Sequence, residues 1–260
     1  MDADYDYVLD SVKKHSWDNY YVGCLLPEEV KVPYMVLQAF NIEVAQSIDN
    51  AHGNILSGRV RLQWWRDRVE EMVNDHFVLS NPVMKCLTDV YEHYSFNPVF
   101  LDRIIEAREN EMNISQPDQC MEVEDTNLEQ AIKHISHTIS ITTYTRGLPF
   151  HFAQHHTYLP LDLCKKNLLE EDDMYNGDNE KAKQVIKELV NISVDEYLES
   201  KKLSCDPYGK QILKYVTPSI TYLKSLIRHN YNIYDDSYLG QKMRNKVQMK
   251  LLKNKMFNTY

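Results

Sequence analysis

Five of the ten histidines in this 260-residue chain fall between His134 and His156. Imidazoles at that density offer two chemistries, metal ligation and proton transfer near neutral pH. His134 and His137 stand three apart, on one face of any helix that carries them, and His151, His155 and His156 follow in a segment closed by Tyr158-Leu159-Pro160. A metal site needs ligands converging near 2 Å, each oriented by an outer partner. The spacing matches no named zinc motif, so surface or loop packing is the preferred reading and a histidine-dependent metal site the weakest. Three charged residues, Glu43, Asp49 and Arg146, sit in largely apolar stretches. A buried charge must be paired, so polar pairs that satisfy one another are expected of them rather than catalysis.

The elements that would position these residues read as helices. Residues 4–15 form a short one, and the aromatic run Ser16–Tyr21 reads as a loop. Leu26-Pro27-Glu28-Glu29 is a helix start, with proline in the first turn and acids at the positive end of the dipole. From Tyr34 to Ile48 the stripe Leu37, Phe40, Val44, Ile48 predicts one helix, and after Asn54–Gly58 the stripe Leu62, Trp65, Val69, Met72 predicts another over 59–73. There Arg66–Glu70 and Arg61–Trp65 lie one turn apart, and both Trp64 and Trp65 are read as core. Helices are expected over 82–93 and 98–113, then a polar loop over 114–127, ISQPDQCMEVEDTN. Ile132, Ile135, Ile139 and Thr142 mark a further helix, which Pro149 should end because its ring removes a donor and clashes with the preceding turn. A short helix near 161–169 precedes an acidic loop over 170–180. A helix over 180–200 should bury Val185, Leu189, Ile192 and Tyr197, and one over 209–229 should be kinked at Pro218. The last, over 238–257, is basic.

Composition narrows the class. Hydrophobic content of 43% and charged content of 26% are those of a globular protein with one sizeable core. Only 7 glycines interrupt the chain, which favours helix over turn-rich β structure. A net charge of −9 argues against a nucleic-acid partner. The charge is uneven: KMRNKVQMKLLKNK (242–255) has no acid, with Met243, Val247, Leu251 and Leu252 placed on one apolar face. That segment is either a solvated helix packed on the bundle or a peripheral contact with an anionic membrane. Five widely spaced cysteines, with no CxxC, suit free thiols in a reducing compartment. No apolar run approaches the ~20 residues of a membrane span, and MDADYDYVLD has the character of neither a signal nor a transit peptide.

AFNIEVAQSID (39–49) followed by RVRLQWWRDRVE (59–70) resembles the squalene/phytoene synthase family, and the resemblance continues through 131–160. It implies an all-α fold, a single helical bundle of the isoprenoid synthase type spanning 1–260. In that family an aspartate pair with DxxxD spacing ends the first helix and NxxRDxxxD lies on a later one; the four carboxylates hold magnesium against the leaving diphosphate. Here the first motif reads Ala45-Gln46-Ser47-Ile48-Asp49. In the second, Thr143 replaces the asparagine, Arg146 persists, and Gly147 and His151 replace the aspartates. The resemblance therefore implies a synthase fold without its catalysis, hence no cofactor and no metal. The wording AFNIEVAQ, RGLPFHFAQHHTYLPLDLC and TYLKSLIRHNYNIYDDSYL resembles one branch of the family, which serves assembly of mitochondrial respiratory complex I. This branch implies complex I subunits or other assembly factors as partners, on the matrix side of the inner membrane. The alternative is an isoprenoid-diphosphate transferase with degenerate motifs. The family also carries a helix between positions 109 and 131, where this chain has its polar loop.

Overall fold

The computed structural model describes residues 2–50, 54–75, 81–113, 126–155, 157, 159–170, 173, 175, 180–235, 238, 240–257 and 259–260. Among them are twelve α-helices and no strand, so the expected all-α class holds. Residues 114–125, most of the expected polar loop, lie outside the described residues, as do His156 and Tyr158. Two compact units divide the chain, Met1–Glu122 and Val123–Tyr260.

In the first unit α1 (Asp2–His15), α2 (Trp17–Leu25), α3 (Glu28–Asp49), α4 (Ile55–Asp75), α5 (Pro82–Tyr94) and α6 (Val99–Asn113) follow one another. α3 is the axis, packed against the other five. Its buried positions Met35, Val36, Ala39, Phe40 and Val44 meet Leu62, Trp65, Val69 and Met72 of α4, together with Val8 and Val12 of α1. The predicted α4 stripe is buried in full. Ser16–Tyr21 is not a loop: Trp17 and Tyr21 stack edge to face one turn apart at 6.0 Å, within a helix. Gly23 lets α2 approach α3, since a Cβ there would meet the Met35 Sδ at 2.9 Å.

The second unit is built from α7 (Asn127–Ala153), α8 (Leu161–Lys166), α9 (Glu180–Lys202), α10 (Pro207–Leu213), α11 (Thr217–Arg228) and α12 (Gln241–Phe257). Thr126 caps α7: its hydroxyl accepts from the Glu129 amide while the Glu129 carboxylate accepts from the Thr126 N–H at 2.7 Å. Pro149 does not end α7. An interior proline costs about 3 kcal/mol, but Leu148 and Phe152 on either side of it are both buried, each contributing about 1.5–3 kcal/mol. Pro218 falls in the first turn of α11, where its missing N–H is tolerated, after a 3-10 turn at Lys214–Val216.

Two predicted faces rotate. α9 buries Ala182, Val185, Ile186, Val190 and Ser193, leaving Ile192 exposed. α12 buries Met243, Val247, Leu251 and Asn254, while Leu252 points outward. The cysteines that the structure describes, Cys24, Cys86, Cys164 and Cys205, are free thiols.

The tryptophan pair splits as well. Trp65 is 3% exposed, stacks on Phe40 at 5.5 Å and donates its indole N–H to Ser47 Oγ at 2.9 Å; Trp64 is 39% exposed, with the Arg68 guanidinium over its ring. Trp65→Ala should therefore cost about 3–5 kcal/mol and Trp64→Ala less than about 1 kcal/mol. Urea denaturation of the two variants distinguishes them, and equal losses would contradict this packing.

Candidate functional site

The residues that the resemblance sets against the first aspartate motif lie on α3. Asn41, Ala45 and Asp49 fall one turn apart along it, so they share a side. Arg108 of α6 donates to Asn41 Oδ1 at 3.3 Å, and next to it Glu109 pairs with Arg66 of α4 at 2.5 Å. Asp49 is exposed at the end of α3. Glu43 accepts a 2.7 Å hydrogen bond from the Tyr7 phenol. Arg66 and Glu70 do lie one turn apart on α4, and the ion pair of Arg66 ties that helix to α6. Sequence spacing could not show Arg108 or Glu109, because both come from a helix over forty residues away. The one available signal was Asn41, a polar residue one turn before Ala45.

The second motif lies on α7. Thr138, Thr142 and Thr145 are buried, which turns Thr143 outward and leaves Arg146, Gly147 and His151 half-buried. The His151 imidazole covers Gly147: a Cβ there would meet its Nε2 at 3.0 Å. The ring also stacks edge to face on Phe150 at 5.6 Å. His151 is therefore helical, not part of a loop. Arg146 lies near Tyr222 of α11, whose phenol is pushed up by burial and by Tyr238, and pulled down by the guanidinium charge.

His134, His137 and His155 have partners of their own. Glu196 of α9 accepts from His134 Nδ1 at 2.7 Å and lies 3.3 Å from His137 Nδ1, so both rings tie α7 to α9. His155, just past α7, stacks on Tyr175 at 5.5 Å. Among the described residues no group of three or more histidines, cysteines, aspartates or glutamates is arranged to hold a metal ion.

Magnesium needs several oxygen ligands in near-octahedral array. Of the positions that the resemblance assigns to carboxylates, only Asp49 bears one; Ala45 and Gly147 have no donor, and His151 offers a nitrogen closed over its own helix. This donor set does not fit a magnesium–diphosphate clamp.

The fold has a counterpart among solved structures. The structure superposes on a dehydrosqualene synthase, crystallised with a ligand, at a TM-score of 0.74 and 12% identity, covering 100% of this chain and 98% of that one. In sequence, residues 12–125 match the squalene/phytoene synthase family model. That stretch contains the Ala45–Asp49 motif and stops before the one on α7. The chain is also similar to rat and human proteins named NADH dehydrogenase (ubiquinone) complex I, assembly factor 6, at 26% and 24% identity over 196 residues. These alignments take in 67% of this chain and 58% of each relative, so the chain spans under two thirds of their length. The Dictyostelium discoideum homolog of that factor is 23% identical over 99% of this chain and 79% of its own length.

The Tyr7–Glu43 bond is open to titration. The hydrogen bond to Glu43, then burial, then the carboxylate's charge push the Tyr7 phenol from 10.0 to about 12. A group whose value is raised on folding stabilises below its unfolded value and loses that contribution as pH rises through the folded one. The stability gap between wild type and Tyr7→Phe should thus be full below pH 10 and close by about pH 12. Ultraviolet titration should show the variant lacking one late-ionising phenol; a missing phenol with an ordinary value would mean that the bond does not form.

Proposed function

We propose that this chain is a non-catalytic assembly factor for mitochondrial respiratory complex I, acting by binding complex I subunits or other assembly factors. On this reading residues 1–260 make one squalene/phytoene synthase-like domain, a pseudoenzyme working at the matrix side of the inner membrane. The observation that carries it is the donor set: Ala45, Gly147 and His151 stand where the synthases need carboxylates. Asp49 and Arg146 alone persist, too few to neutralise a leaving diphosphate. The names of the vertebrate, Dictyostelium and Drosophila relatives support the assembly role. Likeness to a dehydrosqualene synthase across the whole chain supports the scaffold. A helical scaffold keeps its packing when such carboxylates go, because burying fewer charges is neutral or stabilising.

Two measurements test it. Purified protein given magnesium with farnesyl or geranylgeranyl diphosphate should form no condensed product above a boiled control. Product that disappears in Asp49→Ala would establish the transferase alternative instead. In cells, depletion should stall complex I assembly, with affinity purification from mitochondria recovering its subunits or assembly factors. Asp49→Ala and Arg146→Ala chains should still restore assembly, since neither acts in catalysis.

A further inference from the structure

α12 has two sides. One buries Met243, Val247, Leu251 and Asn254, the last donating to Thr217 Oγ1 of α11 at 3.0 Å. The other exposes Met249, Leu252 and Met256 at 69%, 48% and 79%, with Phe257 beside them. At 3.6 residues per turn Lys242, Lys246 and Lys253 fall on this outward side too, and all three are exposed. The helix carries six cations and no acid in a chain of net charge −9.

The charge does not stop at α12. Lys201 of α9 lies over the Tyr260 and Tyr197 rings and donates to the Tyr260 carbonyl. Burial holds its ammonium below the ordinary lysine range, and Lys250, Lys210 and Lys224 hold it lower still. Lys250 is lowered in the same way by burial, then by Lys224 and Lys253. Lysines from α9, α10, α11 and α12 are therefore close enough to repel one another. Such a cluster opposes folding of the unit and is relieved by an anion.

We propose that the outward side of α12 and the adjoining lysines, Lys210, Lys224, Lys250 and Lys253, form one docking surface for an anionic phospholipid bilayer. Met249, Leu252, Met256 and Phe257 enter the interface while the ammonium groups take headgroup phosphates. Charge complementarity calls for an anionic partner, and flexible apolar side chains ringed by lysines on a surface helix suit a lipid interface. No described helix is long and apolar enough to cross a membrane, so the protein lies on it. The proposal takes from the complex I reading only which membrane is met.

Flotation of the purified chain with phosphatidylcholine vesicles, with and without cardiolipin, tests it. Binding should require cardiolipin, weaken with salt and fall about fivefold for each of Lys224, Lys250 and Lys253 replaced by Gln. Met249→Gln with Leu252→Gln and Met256→Gln should remove the binding that survives high salt. All six residues except half-buried Lys250 are exposed, so the variants should melt like wild type; Lys246→Gln, on the same exposed side, substitutes for Lys250→Gln if that one does not. Inorganic phosphate at matched ionic strength should compete no better than chloride; specific competition would indicate a small-anion pocket and overturn the bilayer. Binding that is absent at low salt, equal on neutral vesicles or indifferent to the lysines would also overturn it. Any such failure leaves the assembly reading standing, because that is read from complex I itself.

Discussion

The second unit depends on how closely α7 and α9 approach. Thr138 Oγ1 donates to the Ser193 carbonyl and Ser193 Oγ to the Thr138 carbonyl, both at 3.1 Å, with both residues fully buried. A hydroxyl buried without a partner costs about 1–3 kcal/mol, so this exchange sets both rotation and register. Small side chains at the seam let the backbones meet. Once Thr138 and Thr142 meet Ser193 of α9 and Thr145 is buried, the intervening positions have no freedom: Thr143 must face out, and Gly147 and His151 must lie to the side. The Glu196 contacts of His134 and His137 then close the same pair of helices a turn further along.

The first unit solves a related problem by different means. α3 buries an apolar side and carries its polar groups into bonds with three neighbours: Tyr7 of α1 on Glu43, Arg108 of α6 on Asn41, and Trp65 of α4 on Ser47. The Asn41 and Ser47 bonds are partly shielded from water, which holds those side chains in one orientation, while the Tyr7–Glu43 bond is exposed. Neutral or singly paired groups stand along α3, where a metal clamp would demand several uncompensated carboxylates.

Much of the fold was legible in the sequence because helices bury a stripe with a fixed period. Leu62, Trp65, Val69 and Met72 are all buried as their spacing predicts, and the all-α class follows from repeating that pattern with few breakers. The motif positions, Ala45 to Asp49 and Thr143 to His151, came instead from the resemblance to the squalene/phytoene synthases, after which residue type states which donors are present.

Tertiary contact decided the rest. Trp17–Leu25 is helical because its aromatic rings stack and Gly23 fits against Met35, and a local reading sees only a run of aromatics. Pro149 stays inside α7 because buried neighbours offset a local penalty. Ile192 and Leu252 face outward, and Trp64 and Trp65 part company, because an apolar residue has two or three sides on which it could be buried. Which side is chosen depends on the helix that packs there. Periodicity determined that each helix has a buried face; the partner helix, absent from any short window of sequence, determined where that face points.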